Sequence, residues 1–255
     1  MKIGFIGTGH ITKSVIYGIL GSKLKIKKIM VSKRNNKISS SLKRKSKKIL
    51  VLNSNQDIIN NSDWVFLSVT PEVGHKILPQ LIFKKKQTVI SFISTIKMKE
   101  LKKYTNIKSK VFRAIPLPPI SIRKGPIPLY PPNKIVKNFF DHLGTTVEIE
   151  NENLSLNFWS TSSMMAPYYE LLNTLSIWLN KKGINKSDSQ KYITSLFIAL
   201  SEDAKINSKI DLKFLVKNSQ TPKGLNEQAV NELRKSGFYK SLNKTTNSIL
   251  KRLKK

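Results

Sequence analysis

The chain contains no cysteine and few acids. Without cysteine it can form no disulfide, no thiol nucleophile and no thiolate metal site. Its three histidines, His10, His75 and His142, are scattered, with no spacing suited to a metal ion. Apolar runs stay far below the roughly 18 residues of a membrane span, and the N-terminus enters a strand-like run directly, without the apolar stretch of a signal peptide. These absences predict a cytoplasmic protein with no metal and no membrane partner. Acids number 15 against 46 lysines and arginines, and none precedes Asp57.

The resulting net charge of +31 could signal a nucleic-acid or acidic-membrane binder. However, Lys, Asn, Ile and Ser are over-used throughout, arginine is scarce, and basic and aromatic residues do not interleave. That pattern fits compositional drift, so no specific nucleic-acid partner is expected. A polyanion-binding protein stays the third reading, and would show binding that collapses with salt.

The densest motif lies in the first fourteen residues, MKIGFIGTGHITKS. Residues 2–6 read as a buried strand ending at Ile6, residues 7–9 as a tight turn, and residues 11–20 as a helix. Strand, glycine turn and helix in this order make a dinucleotide-binding entry. Gly7 permits the sharp turn. Gly9 lets backbone approach a pyrophosphate that a Cβ would block, and Thr8, His10 and Ile11 complete the loop. The helix N-terminus offers free N–H groups and partial positive charge to the phosphates. Thr12 replaces the small residue usual at the third glycine position, where helix and strand pack closely.

The end of the second strand, near Val31, selects the cofactor. An acid there binds the ribose hydroxyl of NAD, whereas a basic residue suits the 2′-phosphate of NADP. Here the segment is Ser32, Lys33 and Arg34, with no acid upstream of Asp57. A hydroxyl and a guanidinium favour NADP(H), with NAD(H) the alternative.

Further strands are expected at residues 49–52, 64–69, 88–92, 111–114 and 145–150, alternating with short helices. This gives an α/β fold with a doubly wound parallel sheet. Residues 113–132 hold seven prolines, which excludes helix or central strand and leaves a rigid linker or, as the functional reading, a loop across the cofactor cleft. After the last strand the period changes to helical. Pro167 opens a helix whose face carries Tyr168, Leu171, Leu172, Leu175, Trp178 and Leu179. Gly183 ends it, and Ser187 with Gln190 reads as a capping box for the next. A third helix covers residues 225–235 and a fourth begins beyond Gly237. The expected organisation is a Rossmann-type domain at 1–153 and an all-helical dimerisation and substrate domain at 154–255. The latter buries its apolar stripes against a second copy.

These motifs, in this order, resemble the pyrroline-5-carboxylate reductase family over nearly the full length. KIGFIGTGHI looks like the family opening, with His10 in place of asparagine. Ser32-Lys33-Arg34 looks like its S-x-R. Asn55 and Ser68-Val69-Thr70-Pro71 sit where it has an asparagine and A-V-K-P, and Arg113-Ala114-Ile115-Pro116 matches R-A-M-P. SMMAPYY, containing Pro167, stands for S-G-S-G-P-A-Y, and Thr221 to Glu227 for S-P-G-G-T-T. The resemblance implies reduction of a cyclic imine by NAD(P)H, in a dimer whose helical domains interlock. It implies cofactor contacts at Ile6, Gly7, Thr8, Gly9, His10, Ile11, Ser32, Arg34, Asn55, Val69, Thr70 and Pro71, and substrate contacts at Pro167, Thr221 and Gly224.

Departures from the family pattern gather on the substrate side. The threonine positions are Leu225 and Asn226, a glycine is Lys223, and the asparagine after R-A-M-P is Leu117. Asn226 and Lys223 are the remaining catalytic candidates. Asn226 can hydrogen-bond but is no useful acid, and Lys223 supplies charge. Alternatives are a reductase of another small imine or carbonyl compound, and a non-catalytic NADPH-binding protein.

Overall fold

The computed structural model describes residues 1–106 and 110–254, in two compact units, Met1–Trp159 and Ser160–Lys255. In the first unit, β1 (Lys2–Ile6), α1 (His10–Leu20), β2 (Lys28–Ser32), α2 (Asn36–Lys45), β3 (Ile49–Leu52), α3 (Asn55–Asn60) and β4 (Trp64–Leu67) form the opening half. Then come α4 (Pro71–Ile77), β5 (Thr88–Ser91), α5 (Met98–Thr105), β6 (Val111–Ala114), β7 (Pro126–Tyr130), α6 (Lys134–Asp141) and β8 (Thr145–Glu148). The sheet order is β3-β2-β1-β4-β5-β6-β7-β8, with all neighbours parallel except β6 and β7. The fold is the expected α/β class, and the chain reverses its winding between β1 and β4. Such a switch point leaves a crevice beyond the carboxyl ends of the strands.

Strand residues alternate between two cores. Phe5, Ile29, Val31 and Phe66 pack on one face with Val15, Ile16 and Ile19 of α1, Leu42 of α2 and Phe139 and Phe140 of α6. Ile6, Met30, Val65 and Leu67 pack on the other with Ile58 and Ile59 of α3 and Leu101 of α5. A strand covered on both faces needs a continuous apolar run, which is why WVFL at β4 carries no polar residue. Phe66 is fully buried, stacked on Phe5 at 4.7 Å between centroids and touching Phe92 and Phe139.

The proline-rich window corrects the sequence expectation. It is no loop over the cleft. It contains a 3-10 turn at Pro118–Ile122, whose Ile120 joins the core, and the interior strand β7. The carbonyls of Gly125 and Leu129 accept from Thr145 and Ile149 on the β8 side, so Pro126 and Pro128 point their missing N–H groups the other way. There β6 pairs only through Arg113 and Ala114. Beyond it one bond remains, Ile115 N to Pro128 O at 3.3 Å, so Pro128 costs the edge of that pairing a single return bond and Pro126 lies past its end.

In α7 (Ser155–Ser162) the first unit gives way to the second, which continues as α8 (Met165–Lys181), α9 (Lys186–Ile206), α10 (Leu212–Asn218), α11 (Leu225–Lys235) and α12 (Phe238–Leu253). Pro167 is the third residue of α8, where its absent N–H costs nothing. Gly183, at φ +97°, follows the α8 cap. The expected capping box at Ser187 is displaced. Asn185 caps α9, its Oδ1 accepting from Asp188 N at 2.9 Å, because helix entry begins right after the left-handed turn.

Little in this unit is buried. Among its described residues Ile193 is the one buried apolar side chain, accompanied by Ser160, Ser176 and Ser189. Trp178, Tyr192, Ile198 and Phe214 are all more than half exposed. Among the described residues no helix is long and apolar enough to cross a membrane, and no cluster of three acids or histidines could hold a metal.

Candidate functional site

The β1–α1 connection is built as a close backbone approach. Gly7 sits at φ +98°, and a Cβ there would lie 2.3 Å from the Ser68 carbonyl. Ser68 N in turn donates to Ile6 O at 2.8 Å, which ties the ends of β1 and β4 together. Thr12 is fully buried, and its Oγ1 donates to Gly7 O at 2.8 Å and lies 2.8 Å from Ser68 Oγ. The hydroxyl thus fastens the turn, which explains how a residue larger than glycine fits this contact.

Gly9 is the opposite case, since a Cβ there would meet nothing within 4 Å. No atom of the described residues demands glycine, so the space in front of it is open to a ligand. Gly9 caps α1 and makes no side-chain capping hydrogen bond to it. His10 is exposed and Ile11 half-buried at its start. Uncapped N–H groups opening on an unfilled cradle are the arrangement that receives a phosphate.

Two clefts flank this turn. One, of about 640 Å³, is lined by Thr8, Gly9, Arg34, Ser68, Val69 and Thr70, among others. The other, of about 370 Å³, is lined by Ser32, Lys33, Arg34, Asn36, Asn53 and Asn55. Arg34 and Asn36 belong to both. Ile6 and Gly7 are buried beneath, and Pro71 is the first residue of α4. Of the N-terminal candidates, the two adjoining clefts bring together Thr8, Gly9, Ser32, Arg34, Asn55, Val69 and Thr70. Asn35 and Asn36 belong to this lining too. Sequence reading passed over them, although an asparagine pair after Arg34 is a helix-start signal: Asn35 caps α2 by accepting from Ile38 N.

Ser32 is held inward. It is 6% exposed, and Thr8 Oγ1 donates to its carbonyl at 2.7 Å and lies 2.9 Å from its hydroxyl. Its structural task is to pin the glycine turn to the end of β2. Arg34 and Lys33 are the exposed groups of the segment.

At the carboxyl end of β6, Arg113 is 3% exposed and donates to Ser94 O and to Glu152 Oε1. The same carboxylate accepts from Met98 N at 2.7 Å, and the guanidinium lies 4.7 Å over the Trp159 ring. Burial pushes the Arg113 pKa below its ordinary value, with Glu152 opposing the shift. Its partners make Arg113 a clamp joining β6, the approach to α5 and the segment leading into α7.

The remaining candidates lie in the second unit. Residues 221–224 form the turn between α10 and α11. Lys223 occupies the left-handed region at φ +61°, where the fold favours glycine. Its N–H donates to Glu227 Oε2 at 2.6 Å, and Gly224 N donates to Thr221 O at 2.8 Å. Asn226 Nδ2 donates to Ser219 O at 2.8 Å, and Leu225 is 84% exposed. Glu227 was not among the sequence candidates. The spacing from Lys223 to Glu227, an acid in the first turn of a helix, is the signal that could have shown it.

Residues 2–95 match the family model "NADP oxidoreductase coenzyme F420-dependent". Pyrroline-5-carboxylate reductase 2 of Bacillus subtilis is 22% identical over 250 residues, covering 94% of this chain and 90% of the relative. Among solved structures, the 1-pyrroline-5-carboxylate reductase of Streptococcus pyogenes superposes with a TM-score of 0.83 at 22% identity, covering 100% of this chain and 98% of that one. The Plasmodium falciparum pyrroline carboxylate reductase with NADP bound gives 0.81 at 18% identity, covering 100% and 97%. With the order of motifs and this likeness running through both units, the chain is similar to the pyrroline-5-carboxylate reductases over nearly its full length and shares their fold.

Proposed function

We propose that the protein is an NADP(H)-preferring reductase of a small cyclic imine, 1-pyrroline-5-carboxylate being the substrate its relatives' names point to. The observation that carries the reading is the crevice at the β1–β4 switch point. There an uncapped helix N-terminus and an unfilled Gly9 cradle stand beside the exposed Arg34. NADPH, when bound, supplies the hydride for the C=N carbon. Backbone groups of Gly7, Thr8, Gly9, His10 and Ile11 hold its pyrophosphate. Arg34, with Lys33 and Asn36, holds the 2′-phosphate, while Ser32 keeps Thr8 in place. Val69, Thr70, Pro71 and Asn55 complete the walls.

On the substrate side, Thr221, Lys223, Gly224 and Pro167 orient the ring. The Lys223 ammonium suits a carboxylate. Asn226 offers a hydrogen bond but no proton, so water or the substrate's own acid serves as proton source. The exposed apolar faces of the helical unit fit self-association into a homodimer, and the working compartment is the cytoplasm.

A second reading is a non-catalytic NADPH-binding protein. It is favoured by Leu225, an exposed side chain without a donor where the family has a threonine, and by an Asn226 amide already bonded to Ser219 O. Following NADPH absorbance with pyrroline-5-carboxylate, beside a cofactor titration, separates the two. Turnover establishes the reductase, and tight NADPH binding without turnover on any imine or ketoacid establishes the binder. Arg34→Ala should weaken NADPH binding about tenfold, the scale of one lost charge-assisted contact, and NADH binding little. Equal losses would overturn the 2′-phosphate assignment.

A further inference from the structure

The turn between α10 and α11 already holds a carboxylate, and it is the protein's own. Glu227 Oε2 accepts from Lys223 N at 2.6 Å. That bond reaches back from the first turn of α11 to a residue outside the helix, one position earlier than an ordinary capping box would take it. The same carboxylate lines a cleft of about 540 Å³ with Lys213, Lys217 and Arg234. Among these lining residues it is the single acid facing three cations. Glu227 is only half-buried, so its bond competes with water and can be exchanged. Lys223 holds a left-handed conformation that costs a non-glycine residue free energy, and this conformation leaves its N–H pointed at the carboxylate.

We infer that Glu227 is a specificity-determining placeholder: its carboxylate occupies the anion position of the 221–224 turn, and a carboxylate-bearing substrate binds by displacing it. This rests on the reading of that turn as the substrate site. The exchange is charge-neutral at the turn, one carboxylate for another. The displaced Glu227 remains within a cleft whose cations can receive it. A neutral imine gains nothing from the exchange and leaves Glu227 in place. Affinity for a carboxylate substrate is therefore reduced by competition at the position that recognises it.

The test compares wild type with Glu227→Gln, which keeps the size and an acceptor oxygen but removes the charge. KM is measured for pyrroline-5-carboxylate and for 1-pyrroline, the same ring without the carboxylate. The expected result is that the ratio of the two KM values shifts about three- to fivefold in favour of the carboxylate substrate, the size of one part-exposed charge. An unchanged ratio, or a shift towards 1-pyrroline, overturns the inference, because a helix-capping role alone would move both substrates together. Calorimetric titration of L-proline and pyrrolidine onto the full-length protein with NADP⁺ gives a readout independent of turnover. L-proline binding should tighten in the variant relative to pyrrolidine. If neither imine is reduced by either protein but L-proline binding tightens, the reductase reading fails while the placeholder stands. Turnover with no change in L-proline binding sinks the placeholder alone.

Discussion

The two units of this chain solve the same problem in opposite ways. Both carry apolar residues at regular spacing. In the first, the sheet provides two faces, and helices cover both, so Phe5, Phe66, Ile16 and Leu42 are wholly withdrawn from water. In the second, α8 and α9 lie against each other and Tyr168 meets Phe197 edge to face, yet Ile193 is the one apolar residue buried among those described. Spacing states which residues share a face. It does not state that the chain itself supplies the cover. A unit of helices with large exposed side chains such as Trp178 (57%) and Tyr192 (62%) presents surface of the kind that associates.

The contrast is open to measurement. Phe66→Ala should cost about 3–5 kcal/mol, seen as a fall of about 10 °C in the melting temperature, because the site is enclosed by four rings and cannot collapse around the void. A loss near zero would mean that the first unit's core is looser than its ring contacts imply. Within the same unit Gly9→Val should leave melting unchanged, since its Cβ enters open space, but should abolish NADPH binding. Retained binding would reject the pyrophosphate cradle.

In the second unit, Trp178→Lys should barely change the stability of an isolated chain and should instead weaken self-association. Sedimentation would then show more monomer than wild type at equal concentration, and a wild type that is already monomeric would contradict the proposed dimer. The smallest effect belongs to the surface pair Lys137 and Asp141, 2.6 Å apart one turn along α6. Desolvation raises the Asp141 pKa, but hydrogen bonds from Lys137 and Thr146 outweigh it and hold the carboxyl below its ordinary value. Its contribution is therefore present above the unfolded pKa and lost as pH falls through the folded one. Screened as it is, Asp141→Asn should shift melting at neutral pH by about 1 °C or less, with the difference vanishing in acid.

The outcome at residues 113–132 shows where pattern reading stops. Seven prolines argue against an interior strand only when each would have to donate to a neighbour. In β7 the prolines face the side where the pairing with β6 runs out, with Ile115 N to Pro128 O its last bond, a fact of register that no local pattern contains. The contact between Arg113 and Glu152 joins residues 39 positions apart in the chain and was equally invisible. Thr12 is the reverse case. As a letter it breaks the glycine pattern; as a side chain its hydroxyl closes the turn onto Gly7 and reaches Ser68.

Local sequence was enough to set the alternation of strands and helices, the change of period after β8, the Gly7 turn and the absence of an acid at the end of β2. Each depends on backbone sterics, side-chain period or residue chemistry within a few positions. The folded chain decided that Ser32 faces inward to Thr8 while Arg34 stays exposed, and that β7 enters the sheet. It also decided that a carboxylate of the chain occupies the 221–224 turn. These outcomes depend on which distant groups come within hydrogen-bonding reach, and only tertiary packing brings them there.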